Sequence, residues 1–215
     1  TPFAAREGFR LKDVFNPVFM LFGLTGTTLY YALQNLGMSF TSVSSTSLIL
    51  SIVPVLTAVL AVIFLKEKLS RLQVAGIVLV TAGVALIALN SSGSSESPNP
   101  LLGNLLVFAG GLSWAVYTIQ GRKMVSMYPA LRMTAASTGA GLLFLVPFAV
   151  WEACTSGLPH FSAMGIAGVL YLGVVASALT MFLWNYALHY LPASVASTYI
   201  NLTPIIGVAS AYLLG

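Results

Sequence analysis

The chain has 215 residues, of which 58% are hydrophobic and 7% are charged, and its formal net charge is +4. A soluble domain carries roughly a quarter charged residues, so this composition excludes an ordinary soluble globular protein. Long apolar runs with few charges indicate that lipid surrounds most of the chain. The runs lack the alternating pattern of barrel strands, and backbone groups in lipid must pair internally, so they predict helices.

Seven apolar stretches are long enough to cross a bilayer, which requires about 20 mostly apolar residues. In chain order they lie at roughly 16–38, 43–65, 72–90, 101–121, 133–151, 163–188 and 193–215. Gly and Pro inside them are tolerated because neighbouring helices can satisfy the freed backbone groups. The predicted fold class is therefore an all-α polytopic membrane bundle with seven transmembrane helices.

The basic residues predict the orientation of this bundle. All nine Lys and Arg residues lie before the first span, between the second and third, or between the fourth and fifth. The opposite loops, around 39–42, 91–100 and 152–162, contain none. Positive-inside bias makes the basic side cytoplasmic. We therefore expect an integral membrane protein of a cell inner or plasma membrane of bacterial type.

A shift of 150 residues partly overlays the chain on itself, with Gly23 on Gly173, Asn35 on Asn185 and Pro54 on Pro204. The first span then matches the sixth and the second matches the seventh. Each pair is five crossings apart, so the copies face opposite ways, as in inverted-repeat transporters. This arithmetic predicts a ten-helix protein of two five-helix units, of which seven helices are present here. The alternative is a seven-helix protein with an accidental match.

The stretch from Asn35 to Ile87 includes Ser44, Ser47 and Pro54, then Lys66-Glu67-Lys68-Leu69 and spaced glycines. It resembles the fourth and fifth helices of EamA-type members of the drug/metabolite transporter superfamily. In that family an apolar helix with a central Pro ends in an acidic residue followed by Arg or Lys and Leu. Two later segments look like the family's sixth and eighth helices: Trp114-Ala115 with Tyr117, and Asn185-Tyr186-Ala187-Leu188.

The resemblance implies transport and two inverted five-helix repeats. Residues 1–90 would hold helices three to five of the first repeat, and 91–100 the connecting loop. Residues 101–215 would hold helices six to nine, with the last helix of the second repeat absent.

Polar and aromatic side chains inside the predicted spans are candidates for contact with a solute. Amides, hydroxyls and rings on inward faces suit a small amphipathic molecule. Central prolines can kink a helix and free a carbonyl. Two alternatives remain open: Ser and Asn join helices to one another, and the rings of Tyr31 and Trp184 belong to an interfacial belt. The candidates are Gln34, Asn35, Ser47, Trp114, Tyr117, Trp184, Asn185, Tyr199 and Asn201, with Pro54 and Pro204 as kinks.

Several chemistries are absent from the sequence. No Asp, Glu, Lys, Arg or His lies well inside a predicted span, so these spans offer no proton relay. Cys154 is the only cysteine, and no His or Cys pair has metal-site spacing. With no phosphate loop and no nucleophile–base pair, we expect neither enzymatic activity nor a cofactor or metal.

The predicted function is a secondary transporter that exports small metabolites, amino acids or drugs by alternating access. The expected partners are a small-molecule substrate and the lipid bilayer, without nucleic acid, and a homodimer is left open. The alternative is a non-transporting membrane protein, such as a receptor-like bundle or an intramembrane enzyme.

Overall fold

The computed structural model describes residues 8–90, 98–157 and 162–202, and these form helices and turns without a β-strand. The prediction of an all-α protein is confirmed for this part of the chain. In order, its α-helices are α1 (Pro17–Gly23), α2 (Tyr30–Met38), α3 (Val43–Leu50), α4 (Val53–Leu60), α5 (Arg71–Asn90), α6 (Pro100–Met124), α7 (Ala130–Ser156), α8 (Ala163–Leu170), α9 (Thr180–Tyr190) and α10 (Ala193–Thr198). Short 3₁₀ segments, Leu11–Phe15 and Tyr199–Asn201, precede α1 and follow α10.

Among the described residues, four helical stretches are long and apolar enough to cross a membrane: Val43–Leu65, Pro100–Met124, Ala130–Thr155 and Ala163–Tyr190. A further apolar helix, Arg71–Gly83, is shorter. These five stretches coincide with predicted spans, which identifies the chain as an integral membrane protein. The count of seven spans and the ten-helix repeat stay predictions, and most of the predicted span 193–215 lies outside the described residues.

Polar side chains fix the starts of several helices. The Asn16 side chain accepts a hydrogen bond from the Val18 N–H at 3.0 Å, and a proline occupies the first position of α1. Ser42 caps α3 in the same way at 3.1 Å, and Ser162 caps α8 at 3.0 Å. These caps place the turns between the apolar helices.

In the part of the chain that the structure describes, three π-helical segments widen the helices: Leu24–Leu29 joins α1 to α2, Ala61–Leu65 extends α4, and Tyr171–Leu179 joins α8 to α9. Such wide turns are rare and often mark functional places in helices. The offset of 150 relates residues 24–29 to 174–179, which are π-helical in both places. The local conformation is thus shared between the two matched segments, while the inverted repeat itself stays a prediction.

The second predicted span is interrupted where its proline lies. Helix α3 ends at Leu50, Ser51 and Ile52 form a turn, and Pro54 takes a first-turn position of α4, where its missing N–H costs least. The Thr81 hydroxyl of α5 donates to the Ser51 carbonyl at 3.2 Å. A neighbouring helix therefore satisfies a carbonyl at the break. The other predicted kink, Pro204, lies outside the described residues.

The described residues form two compact units, and each contains residues from both predicted repeats. The first unit is drawn from 8–28 and 121–190, and the second from 29–120 and 191–202, with the gaps given above. The repeat boundaries at 1–90 and 101–215, with the connector 91–100, stay a prediction.

The core of the first unit lies where α1 meets α7. Phe19, Phe22 and Met133 are fully buried there. A Cβ added to Gly23 would collide with the Ser137 carbonyl oxygen and lie 2.7 Å from the Gly141 nitrogen, so the two backbones are in direct contact. Small residues allow such approach in membrane helices, where packing rather than burial from water drives association.

An ion pair joins the 3₁₀ segment before α1 to α7 in the first unit. The Arg132 guanidinium donates two hydrogen bonds to the Asp13 carboxylate, from Nε at 3.0 Å and from Nη2 at 2.8 Å. This forked geometry is the strong form of the interaction. The hydrogen-bonded Arg132 guanidinium lowers the pKa of the Asp13 carboxyl from its ordinary value, against the opposing effect of burial.

Candidate functional site

The second unit brings three aromatic rings and an amide together, which we name the aromatic–amide cluster: Tyr30, Gln34, Trp114 and Tyr117. The Tyr30 and Trp114 ring centroids are 4.7 Å apart, and those of Trp114 and Tyr117 are 5.2 Å apart. These separations are typical of favourable ring pairs. The cluster offers an aromatic wall beside one side-chain amide.

A glycine explains why the two helices of this cluster meet. A Cβ added to Gly110 of α6 would lie 3.3 Å from the Tyr30 carbonyl oxygen and 3.4 Å from the Gln34 backbone nitrogen. The absence of a side chain there lets α2 lie directly against α6. Trp114 follows Gly110 by one helical turn and Gln34 follows Tyr30 by the same spacing, so the four residues face one another across the contact.

The Gln34 side chain is the polar group of the cluster. Its Oε1 is buried and has no hydrogen-bond partner among the residues that the structure describes. A buried acceptor without a partner costs about 1–3 kcal/mol, so the position favours a group that donates to it. The cluster itself contains no ionisable acid or base of the Asp, Glu, Lys, Arg or His type, and its chemistry is hydrogen bonding and ring contact.

The remaining predicted residues of this unit lie outside the cluster or have other contacts. Asn35 is exposed, and the Ser47 hydroxyl donates to the Val43 carbonyl of its own helix at 3.0 Å. Asn201 is buried, and its Nδ2 has no partner within the described ranges. Tyr199 is 59% exposed and contributes to a separate cavity of about 310 Å³ between α5 and α10, which Gln73 and Ser194 also line.

Trp184 and Asn185, also predicted for the site, belong to the first unit. Asn185 is fully buried, and its Nδ2 donates to the Thr134 hydroxyl at 3.0 Å, which joins α9 to α7. Trp184 is half-buried on α9. The bond to Thr134 favours helix joining for Asn185, the alternative left open above, and a substrate contact at either residue stays a prediction.

Sequence reasoning missed two partners, Tyr30 and Thr134. Spacing alone did not single out Tyr30, because Tyr30 and Tyr31 lie four and three residues before Gln34 and both spacings put residues on one helix face. Nothing in the local sequence marks Thr134 as the partner of Asn185, since 51 residues separate them.

Glu67, named above only as part of the family motif, has a structural role in the second unit. Its carboxylate accepts hydrogen bonds from the Ala193 N–H at 2.9 Å, the Ser194 N–H at 3.2 Å and the Ser194 hydroxyl at 2.7 Å. These amides are at the start of α10, where free N–H groups and the helix dipole favour a negative charge. Glu67 therefore fastens the end of α4 and its π-helical extension to the start of α10.

The backbone before Glu67 turns sharply to make this contact. Lys66 has a φ of 56°, in the left-handed region that glycine usually occupies after a helix. The Glu67 N–H then donates back to the Ala61 carbonyl at 3.2 Å. Among the described residues, no group of three or more His, Cys, Asp or Glu side chains is arranged to hold a metal ion.

The apolar membrane-length helices define a polytopic integral membrane protein, and the uncharged cluster of rings and an amide in the second unit is a candidate site for a small organic molecule. The chain belongs to the EamA-like transporter family, whose sequence profile matches residues 1–89 and 101–215. This confirms the family resemblance that the helix motifs indicated.

Relatives in bacteria and archaea carry transporter names. An "Uncharacterized transporter" of Archaeoglobus fulgidus is 30% identical over 182 residues, which is 85% of this chain and 62% of that protein. The "Uncharacterized transporter YetK" of Bacillus subtilis is 28% identical over 94% of this chain and 62% of its own length. A "Probable terminal-alkyne amino-acid exporter" of Streptantibioticus cattleyicolor is 26% identical over 95% of this chain and 66% of its own length. The chain thus spans under two thirds of the length of these relatives.

Proposed function

We propose that the protein is a secondary transporter that exports small amphipathic metabolites, with amino-acid-like solutes as the first class to test. Membership of the EamA-like family and the transporter names of the relatives support transport. The amino-acid exporter name of the Streptantibioticus cattleyicolor relative supports the solute class and the direction.

The observation that carries the proposal is the buried Gln34 Oε1, which has no partner among the described residues and lies one helical turn after Tyr30, whose ring contacts Trp114. A solute with an N–H or O–H group would donate to this oxygen, and its apolar portion would lie against the rings. Because the cluster lacks an ionised side chain, it suits a neutral or zwitterionic solute better than one with a strong net charge. Release is then not opposed by a buried ion pair.

Alternating access is proposed to follow from the two inverted repeats, 1–90 and 101–215, moving against each other around the solute. The predicted residues beyond the cluster, Trp184, Asn185, Tyr199 and Asn201, would serve this pathway in conformations that expose them.

The experiment is a transport assay with the purified protein, produced from its native gene, in proteoliposomes. A panel of radiolabelled neutral amino acids and neutral amphipathic metabolites is tested by counterflow against protein-free vesicles. For a transported solute, Gln34→Leu should raise the half-saturating concentration about 2–12-fold, the loss of one ordinary hydrogen bond. Trp114→Leu should also weaken transport, whereas the matched Trp151→Leu, on a ring that is 67% exposed, should not.

Two outcomes would contradict the proposal. Absence of counterflow for every solute in vesicles that contain folded protein would argue against transport. If Gln34→Leu and Trp114→Leu leave transport unchanged in equally folded protein, the aromatic–amide cluster does not belong to the solute pathway. The proposed transport function would then still stand.

A further inference from the structure

A second site lies in a groove between α4, with its π-helical extension, and α5. Its volume is about 320 Å³, and every residue that lines it is aliphatic. Val59, Val62 and Val78 form its open side and are 51%, 44% and 60% exposed. Along α4 the lining runs from Val55 to Ile63, which corresponds to about 12 Å of helix. The groove has the shape and chemistry to receive a hydrocarbon chain.

The loop that joins the two walls of this groove carries a cluster of positive charge. Lys66, Lys68 and Arg71 are all exposed, and Leu69 of the same loop is part of the groove lining. The neighbouring Glu67 directs its carboxylate to the start of α10. The ion pair found among the described residues, Asp13 with Arg132, does not involve these three cations.

One of these cations stands where local structure disfavours a positive charge. Arg71 is the first residue of α5, and a positive charge at a helix N-terminus is opposed by the helix dipole. Lys66, by contrast, caps the C-terminal end of the preceding helix, where the dipole favours a cation. The charge of Arg71 is therefore not explained by the stability of its helix, which points to a ligand that rewards positive charge.

We propose that this groove and its cationic loop bind an anionic phospholipid. The acyl chain lies along the valines, and Lys66, Lys68 and Arg71 hold the phosphate. The cytoplasmic leaflet is the anionic one, and the distribution of Lys and Arg in the sequence predicts this loop to be cytoplasmic.

Two other occupants fit the groove less well. A second copy of the chain placed on the same surface by two-fold symmetry would bring like charges together. A polar solute would find no hydrogen-bonding group on the aliphatic lining.

The test is native mass spectrometry of the purified protein in detergent, with added 1-palmitoyl-2-oleoyl phosphatidylglycerol or phosphatidylcholine of the same chains. We expect the wild type to retain phosphatidylglycerol in preference to phosphatidylcholine. Lys68→Gln with Arg71→Gln should weaken phosphatidylglycerol retention roughly fivefold for each charge removed. Lys12→Gln with Lys123→Gln removes the same charge elsewhere and should leave the preference in place.

A second pair of variants tests the groove apart from the charges. Val59→Trp fills the open side, and we expect it to reduce phosphatidylglycerol retention to the level of the Lys68→Gln, Arg71→Gln protein. Val169→Trp, at a residue that is 68% exposed and outside the groove lining, is the matched control. If Val59→Trp lowers the folded yield, Val78→Trp makes the same measurement from the other wall.

Any of three results would overturn the proposal. The first is that the wild type retains both lipids equally. The second is that the two double charge variants weaken retention equally, and the third is that folded groove-filling variants bind phosphatidylglycerol as the wild type does. Equal effects of the two charge pairs would mean general attraction to a basic protein rather than a site. Binding of free phosphate to the cationic loop would not change in the Val59→Trp variant, so this variant distinguishes free phosphate from a phospholipid.

Discussion

Replacing Glu67 by Ala tests the contact that fastens α4 to α10. The substitution removes the acceptor for the N–H groups of Ala193 and Ser194 and for the Ser194 hydroxyl, at 2.9, 3.2 and 2.7 Å. A hydrogen bond to a charged group contributes about 1.5–3 kcal/mol, and loss of a helix cap costs about 0.5–2 kcal/mol. The three bonds share one carboxylate and their losses do not add.

We therefore expect Glu67→Ala to reduce the free energy of unfolding by about 2–4 kcal/mol, which for a chain of this size lowers the melting temperature by about 4–16 °C. Ser194→Ala, which removes the hydroxyl donor alone, should have a smaller effect of about 1 kcal/mol. Glu67→Gln keeps an oxygen acceptor without the charge and should fall between the wild type and Glu67→Ala.

The measurement is heat treatment in detergent followed by size-exclusion chromatography, with the surviving peak recorded against temperature. Glu152→Ala is the matched control, because Glu152 is an exposed carboxylate near a helix end. If Glu67→Ala and Glu152→Ala melt at the same temperature, the Glu67 hydrogen bonds do not stabilise the second unit. If Glu67→Gln is as stable as the wild type, the charge is not what matters at the start of α10.

Three further predictions concern the first unit. The folded state lowers the pKa of Asp13 below its ordinary value of 3.8, so its ion pair stabilises the protein above that pH. The melting temperature should therefore fall as the pH drops through the pKa of Asp13 in the folded protein, and Asp13→Asn should flatten this part of the profile of melting temperature against pH. Gly23→Ala should destabilise by about 1–3 kcal/mol through backbone collision, whereas Gly173→Ala, with no atom of the described residues within 4 Å, should not differ from the wild type in the same heat assay. Asn185→Ala and Thr134→Val should couple by about 0.6 kcal/mol, and up to about 1.7 kcal/mol, in a double-mutant cycle of unfolding; simple additivity would contradict the bond between them.

Apolar run length was sufficient to predict that the described part of the chain is helical, because a helix in lipid needs little beyond length and hydrophobicity. The membrane-length stretches Val43–Leu65 and Pro100–Met124 fall on predicted spans almost residue by residue. The π-helical segments were not predictable. An apolar run has the same composition whether its backbone forms the hydrogen bonds of an α-helix, four residues apart, or those of a π-helix, five residues apart.

The cluster was predictable only in part. Gln34, Trp114 and Tyr117 were found as polar or aromatic residues in lipid, where such groups face inward. Tyr30 was passed over for Tyr31, because spacing alone does not tell which face of α2 a neighbour approaches. The contacted face of α2 is determined by Gly110 of α6, which lies far along the chain and lets the Tyr30 side of α2 approach. The partners of Glu67 are more than 120 residues away and leave no local pattern.

The interleaved composition of the two units sets the order in which the protein can assemble during synthesis. Helix α1 is synthesised before α7, its packing partner, and the whole segment 29–120 of the other unit is made between them. At 5–20 residues per second, roughly 5–20 s pass between the synthesis of α1 and that of α7. A helix in lipid persists during this interval because its backbone bonds are internal. The ion pair between Asp13 and Arg132 can form only after this interval, so the first unit closes by contact between helices made at different times.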